Sequence, residues 1–190
     1  MLFDTLLDIA RPLNRAGVHW GIGASVLLYY HGLVDTPHDI DIMTGETDAD
    51  MVASILDGLG NEALGDPGRS LYSTSRFLEY VVDETDVDVM AGFAIKHANG
   101  TYVFPFDDRS VAMTRTVDDV IIPLTCLEDW YVLYQLMPGR EAKVRLIEDR
   151  LLNSGSVDLS VLDRALAREL PPYVHSRTAQ LAAFCHSFNR

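Results

Sequence analysis

Cysteine is scarce in this chain: there are 2 in 190 residues, Cys126 and Cys185, far apart. That usage excludes a disulfide framework and predicts reduced, buried thiols. Basic residues are few as well, 15 Lys and Arg against 28 Asp and Glu, for a net charge of −13. Sequence-independent binding to a nucleic-acid backbone depends on neutralising phosphates with Lys and Arg, so nucleic acid is not favoured as a partner. A cationic ligand or a protein partner suits the charge better. No uncharged apolar run reaches the ~18 residues that a bilayer span requires, and Met1-Leu2-Phe3-Asp4 carries neither a basic leader nor a cleavage site. The expectation is a cytoplasmic protein with no membrane partner. His19, His31, His38, His97, His175 and His186 lack the i, i+4 pairing and the Cys neighbours of a zinc site. A calcium loop is excluded too, because it needs Gly at its sixth place and Glu at its twelfth. Counting from Asp39 gives Thr44 and Asp50, and counting from Asp83 gives Asp88 and Ala94.

What is present is a small-residue turn, Gly21-Ile22-Gly23-Ala24-Ser25, then an apolar run to His31-Gly32, then His38-Asp39-Ile40-Asp41-Ile42. The β-branched context of the two acids predicts a strand, on which residues i and i+2 share a face with Cα atoms roughly 6.6 Å apart. Carboxylates so spaced can grip one divalent cation or two adjacent ones. A second acidic stretch follows in Phe77 to Met90, where two runs rich in aromatic and β-branched residues flank Asp83-Glu84. This reads as a hairpin whose second strand sets Asp86 and Asp88 on one face. Asp88, followed by Val89-Met90, is the candidate third acid.

Ile22-Gly23-Ala24-Ser25, Asp39-Ile40-Asp41 and Asp88 together resemble the nucleotidyltransferase superfamily typified by DNA polymerase β, whose signature is a hydrophobic residue, a Gly followed by Gly or Ser, a gap, and Asp-x-Asp on a strand. The resemblance implies an α+β fold: a mixed β-sheet nucleotidyltransferase core flanked by helices, with a C-terminal helical region. It implies two Mg²⁺ ions bound by Asp39, Asp41 and Asp88, an NTP such as ATP as co-substrate, and transfer of its NMP to a hydroxyl of a small molecule, RNA or protein. Asp39 and Asp41 would bind both ions, Asp88 would bridge the catalytic ion and help activate the acceptor, and Gly23 and Ser25 would hold phosphate. Members of the superfamily modify aminoglycosides, lincosamides, tRNA ends or proteins, and some are toxins of toxin-antitoxin pairs. An acidic surface suits a cationic acceptor.

Two departures keep a second reading open, that of a catalytically inactive interaction protein with the same fold, for example a toxin-antitoxin component. Relatives frequently place Arg just ahead of the acidic pair, where this chain has Val34-Asp35-Thr36-Pro37. Arg76, Arg109 or Arg115 would have to fold in to replace that charge beside a triphosphate. Relatives also often carry Lys where Tyr134 stands, leaving Arg140, Lys143 and Asp149 as approximate substitutes.

Periodicity supplies the organisation. Leu2 to Arg15 reads as a helix stopped by Gly17, His19 to Ile22 as a strand, Ser25 to Tyr30 as a buried helix and Asp39 to Met43 as the acidic strand. A further helix has Met51, Val52, Ile55 and Leu56 as its apolar stripe, and Asn61 to Ser75 reads as a loop and a candidate substrate lid. Ala98-Asn99-Gly100 marks a turn between two short strands, and Val120 to Leu124 is another strand. Thr125 with Glu128 reads as a capping box. Helices are then expected over 127–137, 141–152, 159–170 and about 175–188. The division expected is a nucleotidyltransferase-like α/β core over residues 1–125 and a helical region, packed on it, over 126–190.

Overall fold

The computed structural model describes residues 1–63, 71–154 and 156–188. In chain order its elements are α1 (Leu2–Ala16), β1 (Trp20–Ile22), α2 (Ala24–Tyr30), β2 (Ile40–Thr44), α3 (Ala49–Asp57), β3 (Asn61–Glu62), β4 (Arg76–Val82), β5 (Thr85–Ala91), β6 (Ala94–His97), β7 (Gly100–Val103), β8 (Val111–Val117), β9 (Val120–Thr125), α4 (Leu127–Leu136), α5 (Glu141–Ser154), α6 (Leu159–Leu166) and α7 (Pro172–Phe188). A seven-stranded sheet runs in the order β3-β4-β5-β2-β1-β9-β8, with β6 and β7 as a separate pair. It is mixed: β2 with β5 and β1 with β9 are parallel, and the other neighbours antiparallel. This is the expected α+β architecture.

Local chemistry accounts for the boundaries. Gly17 takes a left-handed φ of 68° and its N–H bonds Asn14 O, closing α1 at a conformation that a side chain would strain. Asp83 and Glu84 hold φ of 46° and 61°, the two-residue primed turn that matches strand twist, and Asp118 and Asp119 repeat it between β8 and β9 at 46° and 60°. The central strands β1 and β2 are buried at every position, as befits strands covered on both faces. Ile22, Ile40, Ile42, Val87, Val89 and Leu124 from four adjacent strands join Leu6, Ile9 and Leu13 of α1 and Leu27 and Leu28 of α2 in one core. Each such fully buried side chain is worth roughly 1.5–3 kcal/mol of transfer free energy. Among the described residues no helix is long and apolar enough to cross a membrane.

Several sequence expectations are corrected. Strand β8 escaped the reading because it is an edge strand with polar, exposed residues such as Thr114, Arg115 and Thr116. In α3 the buried face is Ala49, Val52 and Leu56, whereas Met51 is 51 % exposed, since an i, i+3, i+7 stripe starting at Ala49 leaves it on the outer side. Helix α6 stops at Leu166 and α7 begins at Pro172, the break falling at Pro171-Pro172, with Pro172 suited to a first helical position. Of the candidate lid, residues 64–70 lie outside the described residues. Within the rest, Asn61 and Glu62 form β3 on β4, and Tyr72 bridges Ile95.

The capping box is replaced by a different device. The N-cap of α4 is Cys126, and Thr125 turns inward instead: its hydroxyl donates to Ile22 O at 2.8 Å and accepts from Trp130 Nε1 at 2.8 Å. Glu128 is buried and accepts the Asp158 N–H at 2.9 Å, tying the start of α4 to the cap of α6. Both cysteines are free and buried.

Candidate active site

The register of β2 against β5 pairs Asp41 with Asp88. On adjacent parallel strands, about 4.8 Å apart, paired residues project from the same face, so the two carboxylates are neighbours across the ladder. Asp39 stands two residues before Asp41, at the entrance to β2, and shares that side. Antiparallel pairing of β4 with β5 then sets Glu79 opposite Asp88, extending the acidic row across three strands.

A cavity of about 370 Å³ opens on this row. Asp39, Asp41 and Asp88 line it with Tyr72, Phe77 and Met90 as apolar surface, and Lys143 of α5 and Arg140, just ahead of that helix, line it too. The Tyr72 and Phe77 rings are stacked, 5.9 Å between centroids and 25° between planes. Asp41 is only 8 % exposed, and its Oδ2 is buried with no hydrogen-bond partner. Burial first, then the charges of Asp39 and Asp88, push its carboxyl well above the usual carboxylate range, and Lys143 opposes them. Burial and the neighbouring Arg140 lower the Lys143 amine, while Asp41 and Asp39 raise it. Its Nζ lies 3.4 Å from the Tyr134 hydroxyl and 5.0 Å from that ring's centroid. Burial, then Asp41, push the Tyr134 phenol up.

The turn residues have more local duties than phosphate contact. Ser25 lines the cavity, but its hydroxyl donates to Asp39 Oδ1 at 2.9 Å and accepts the His38 N–H at 3.3 Å, fixing the carboxylate. Gly23 does not line it. A Cβ there would meet Trp130 Cζ2 at 2.1 Å and Cε2 at 2.6 Å, so this position lacks a side chain because the indole fills the space. Ala24 begins α2 at a φ of 41°, which L residues rarely adopt.

None of the three arginines expected to compensate for the missing basic residue reaches this cavity. Arg76 pairs with Asp50, Arg109 with Asp107 at 3.0 Å, and Arg115 approaches Tyr30 O at 3.4 Å. Arg140 and Lys143 are the cations that line the cavity, whereas Asp149 does not line it. The sequence could not rank them, since their approach depends on how α5 docks against α4. The aromatic wall was missed for the same reason, because Tyr72, Phe77 and Phe93 come from three stretches of chain.

The donor set suits a hard divalent cation: carboxylate oxygens, one of them buried and unsatisfied, on a rigid strand pair. As the side chains stand, no group of three or more His, Cys, Asp or Glu is gathered closely enough to hold an ion among the described residues.

No family model matches this chain, and no curated protein does. Solved structures do. A candidate nucleotidyltransferase from Thermotoga maritima is 23% identical over 78% of this chain and 91% of its own, with a TM-score of 0.58. ANT(2'')-Ia in complex with adenylyl-2''-tobramycin is 11% identical and covers 97% of both chains at a TM-score of 0.55. The lincosamide antibiotic adenylyltransferase LnuA, bound to lincomycin, is 18% identical over 76% of this chain and 95% of its own at 0.51. With its acidic strand pair set in the same sheet and helix framework, this chain has the fold of the nucleotidyltransferases.

Proposed function

We propose that this chain is a nucleotidyltransferase that moves an NMP from an NTP to a hydroxyl of a cationic small molecule. The observation that carries the reading is the meeting of Asp39, Asp41 and Asp88 in one cavity with Arg140 and Lys143 facing them. Asp39, Asp41 and Asp88 would hold the two Mg²⁺ ions, for which the buried, unpartnered Oδ2 of Asp41 is the strongest sign. Mg²⁺ bound there supplies acidification of the attacking hydroxyl and neutralisation of the leaving pyrophosphate.

The chain's own groups divide the remaining work. Arg140 and Lys143 take phosphate oxygens through charge-assisted hydrogen bonds, restoring the positive charge missing ahead of the acidic pair. That substitution removes the main reason for reading the chain as an inactive interaction protein. Ser25 keeps Asp39 aimed into the cavity through its 2.9 Å bond. Asp88, half-buried in the same cavity, would accept the proton of the acceptor hydroxyl, whose body would rest on the Tyr72–Phe77 pair. In the proposed division, acids come from residues 1–125 and cations from residues 126–190, so the cavity needs both parts. Two structural neighbours hold antibiotics or their adenylylated product, and a polyamine-like acceptor fits a chain of net charge −13.

The test is transfer of label from an α-labelled NTP, with Mg²⁺, to a panel of aminoglycosides and lincosamides, run beside Asp39→Ala with Asp41→Ala. Labelled product from the wild type alone supports the reading. Absence of both NTP binding by calorimetry and transfer to any acceptor overturns it.

A further inference from the structure

A second cavity, about 690 Å³, lies apart from the first and shares no lining residue with it. The two are built on the same three helices. Ala24 and Ser25 of α2 border the first cavity and Tyr30, at the other end of that helix, the second. On α5, Lys143 borders the first and Arg150 the second, seven residues or about 10 Å further along the axis.

The second cavity concentrates positive charge in a chain that has little. Arg109, Arg115, Arg150 and the half-buried His31 line it, and its acids are Glu128 and Asp158. Both acids are engaged in helix starts: Glu128 accepts the Asp158 N–H at 2.9 Å, and Asp158 accepts the N–H and hydroxyl of Ser160 at 3.0 and 2.6 Å. Arg109 is paired with Asp107. Arg115 and Arg150 have no carboxylate ion pair among the described residues, and their charges, after burial, lower the His31 imidazole. Val111, Met113, Leu127 and Leu151 line it as well and supply apolar surface. Two guanidiniums without a carboxylate partner, Arg115 holding only a 3.4 Å bond to Tyr30 O, beside apolar side chains are complementary to a ligand with an apolar body and a phosphate group.

We propose that this cavity binds a nucleoside monophosphate, phosphate on Arg115 and Arg150 and base on the Met113–Leu151 side, as a site separate from the acidic cavity. The site does not depend on the nucleotidyl-transfer reading. Calorimetry in EDTA with adenosine 5′-monophosphate as probe tests it, because without divalent cations the three carboxylates of the acidic cavity repel phosphate. Binding is expected in the wild type and in Arg140→Gln with Lys143→Gln, which removes the cations of the acidic cavity, and weakening of about 10-fold or more in Arg115→Gln with Arg150→Gln. Both arginines are exposed, so the double variant should keep its melting temperature. Arg150→Gln alone and the fall of affinity with added NaCl give the same reading by independent routes. Absence of binding in EDTA, equal affinity for uncharged adenosine, or loss in the Arg140→Gln, Lys143→Gln variant with retention in the Arg115→Gln, Arg150→Gln variant would each overturn the assignment.

Discussion

Asp41 carries an unrelieved conflict, a carboxylate out of water with two more beside it and one amine to offset them. Its folded-state pKa lies above its unfolded value, so the folded chain binds more protons and, free of metal, loses stability as pH rises through that range. Asp41→Asn is therefore expected to raise the melting temperature in EDTA at neutral pH, by a gain on the order of 1 kcal/mol. On the proposed reading the same variant should abolish label transfer, and it should lose the stabilisation expected from Mg²⁺ in the wild type, read by thermal melts with and without the ion. An unchanged Mg²⁺ response would remove Asp41 from the ligand set. At the neighbouring turn, Gly23→Ala drives a methyl into the Trp130 indole and should cost about 3 kcal/mol in denaturant titration. Ala24→Gly relieves a φ of 41° but loses a buried methyl, and is expected to fall within about 0.5 kcal/mol of neutral.

Among elements, the β4–β5 hairpin and the start of α4 show how local chemistry serves the site. Asp83 and Glu84 are non-glycine residues at positive φ, so replacing them with Asn-Gly keeps the turn and lowers its strain. A gain of about 1 kcal/mol is expected from equilibrium unfolding, with transfer activity unchanged because the register that places Asp88 is preserved. Thr125 joins β1 to α4 through two buried hydrogen bonds, from its hydroxyl to Ile22 O and from Trp130 Nε1 to its oxygen. Thr125→Val keeps the shape and orphans both partners, for an expected loss of about 2–4 kcal/mol. An exposed capping threonine would cost about 1 kcal/mol, so the titration separates the two roles.

For the molecule as a whole, Arg164 ties α6 to α4 and to the segment ahead of β8. From α6 it donates two bonds to Asp129 of α4, at 3.1 and 2.8 Å, and one to Asp107 at 2.6 Å. Asp129 is fully buried, and burial pushes its carboxyl up while Arg164 draws it down. Arg164→Met would strand that carboxylate and should cost about 3–5 kcal/mol near neutral pH. With its counter-charge gone, the Asp129 pKa moves further above its unfolded value, so the variant should recover stability as pH is lowered. Adding Asp129→Asn should restore part of the loss at neutral pH. Denaturation midpoints across pH for the single and double variants check both signs.

By itself the sequence determined most of the elements and singled out the three acids as candidates, because hydrophobic period, turn residues and a one-residue spacing on a β-branched run are local properties that a linear reading captures. Gly17, the Asp83-Glu84 turn and Asp39-Ile40-Asp41 all express themselves within a few residues of chain. Only the tertiary structure decided what surrounds those acids: that Asp88 is in register with Asp41, that Arg140 and Lys143 supply the charge instead of Arg76, Arg109 or Arg115, that Gly23 makes room for Trp130, and that Thr125 turns inward. The reason is that each of these depends on the docking of one distant element against another, which is set by complementary packing and by the burial of unpaired polar groups, and no short stretch of sequence encodes either.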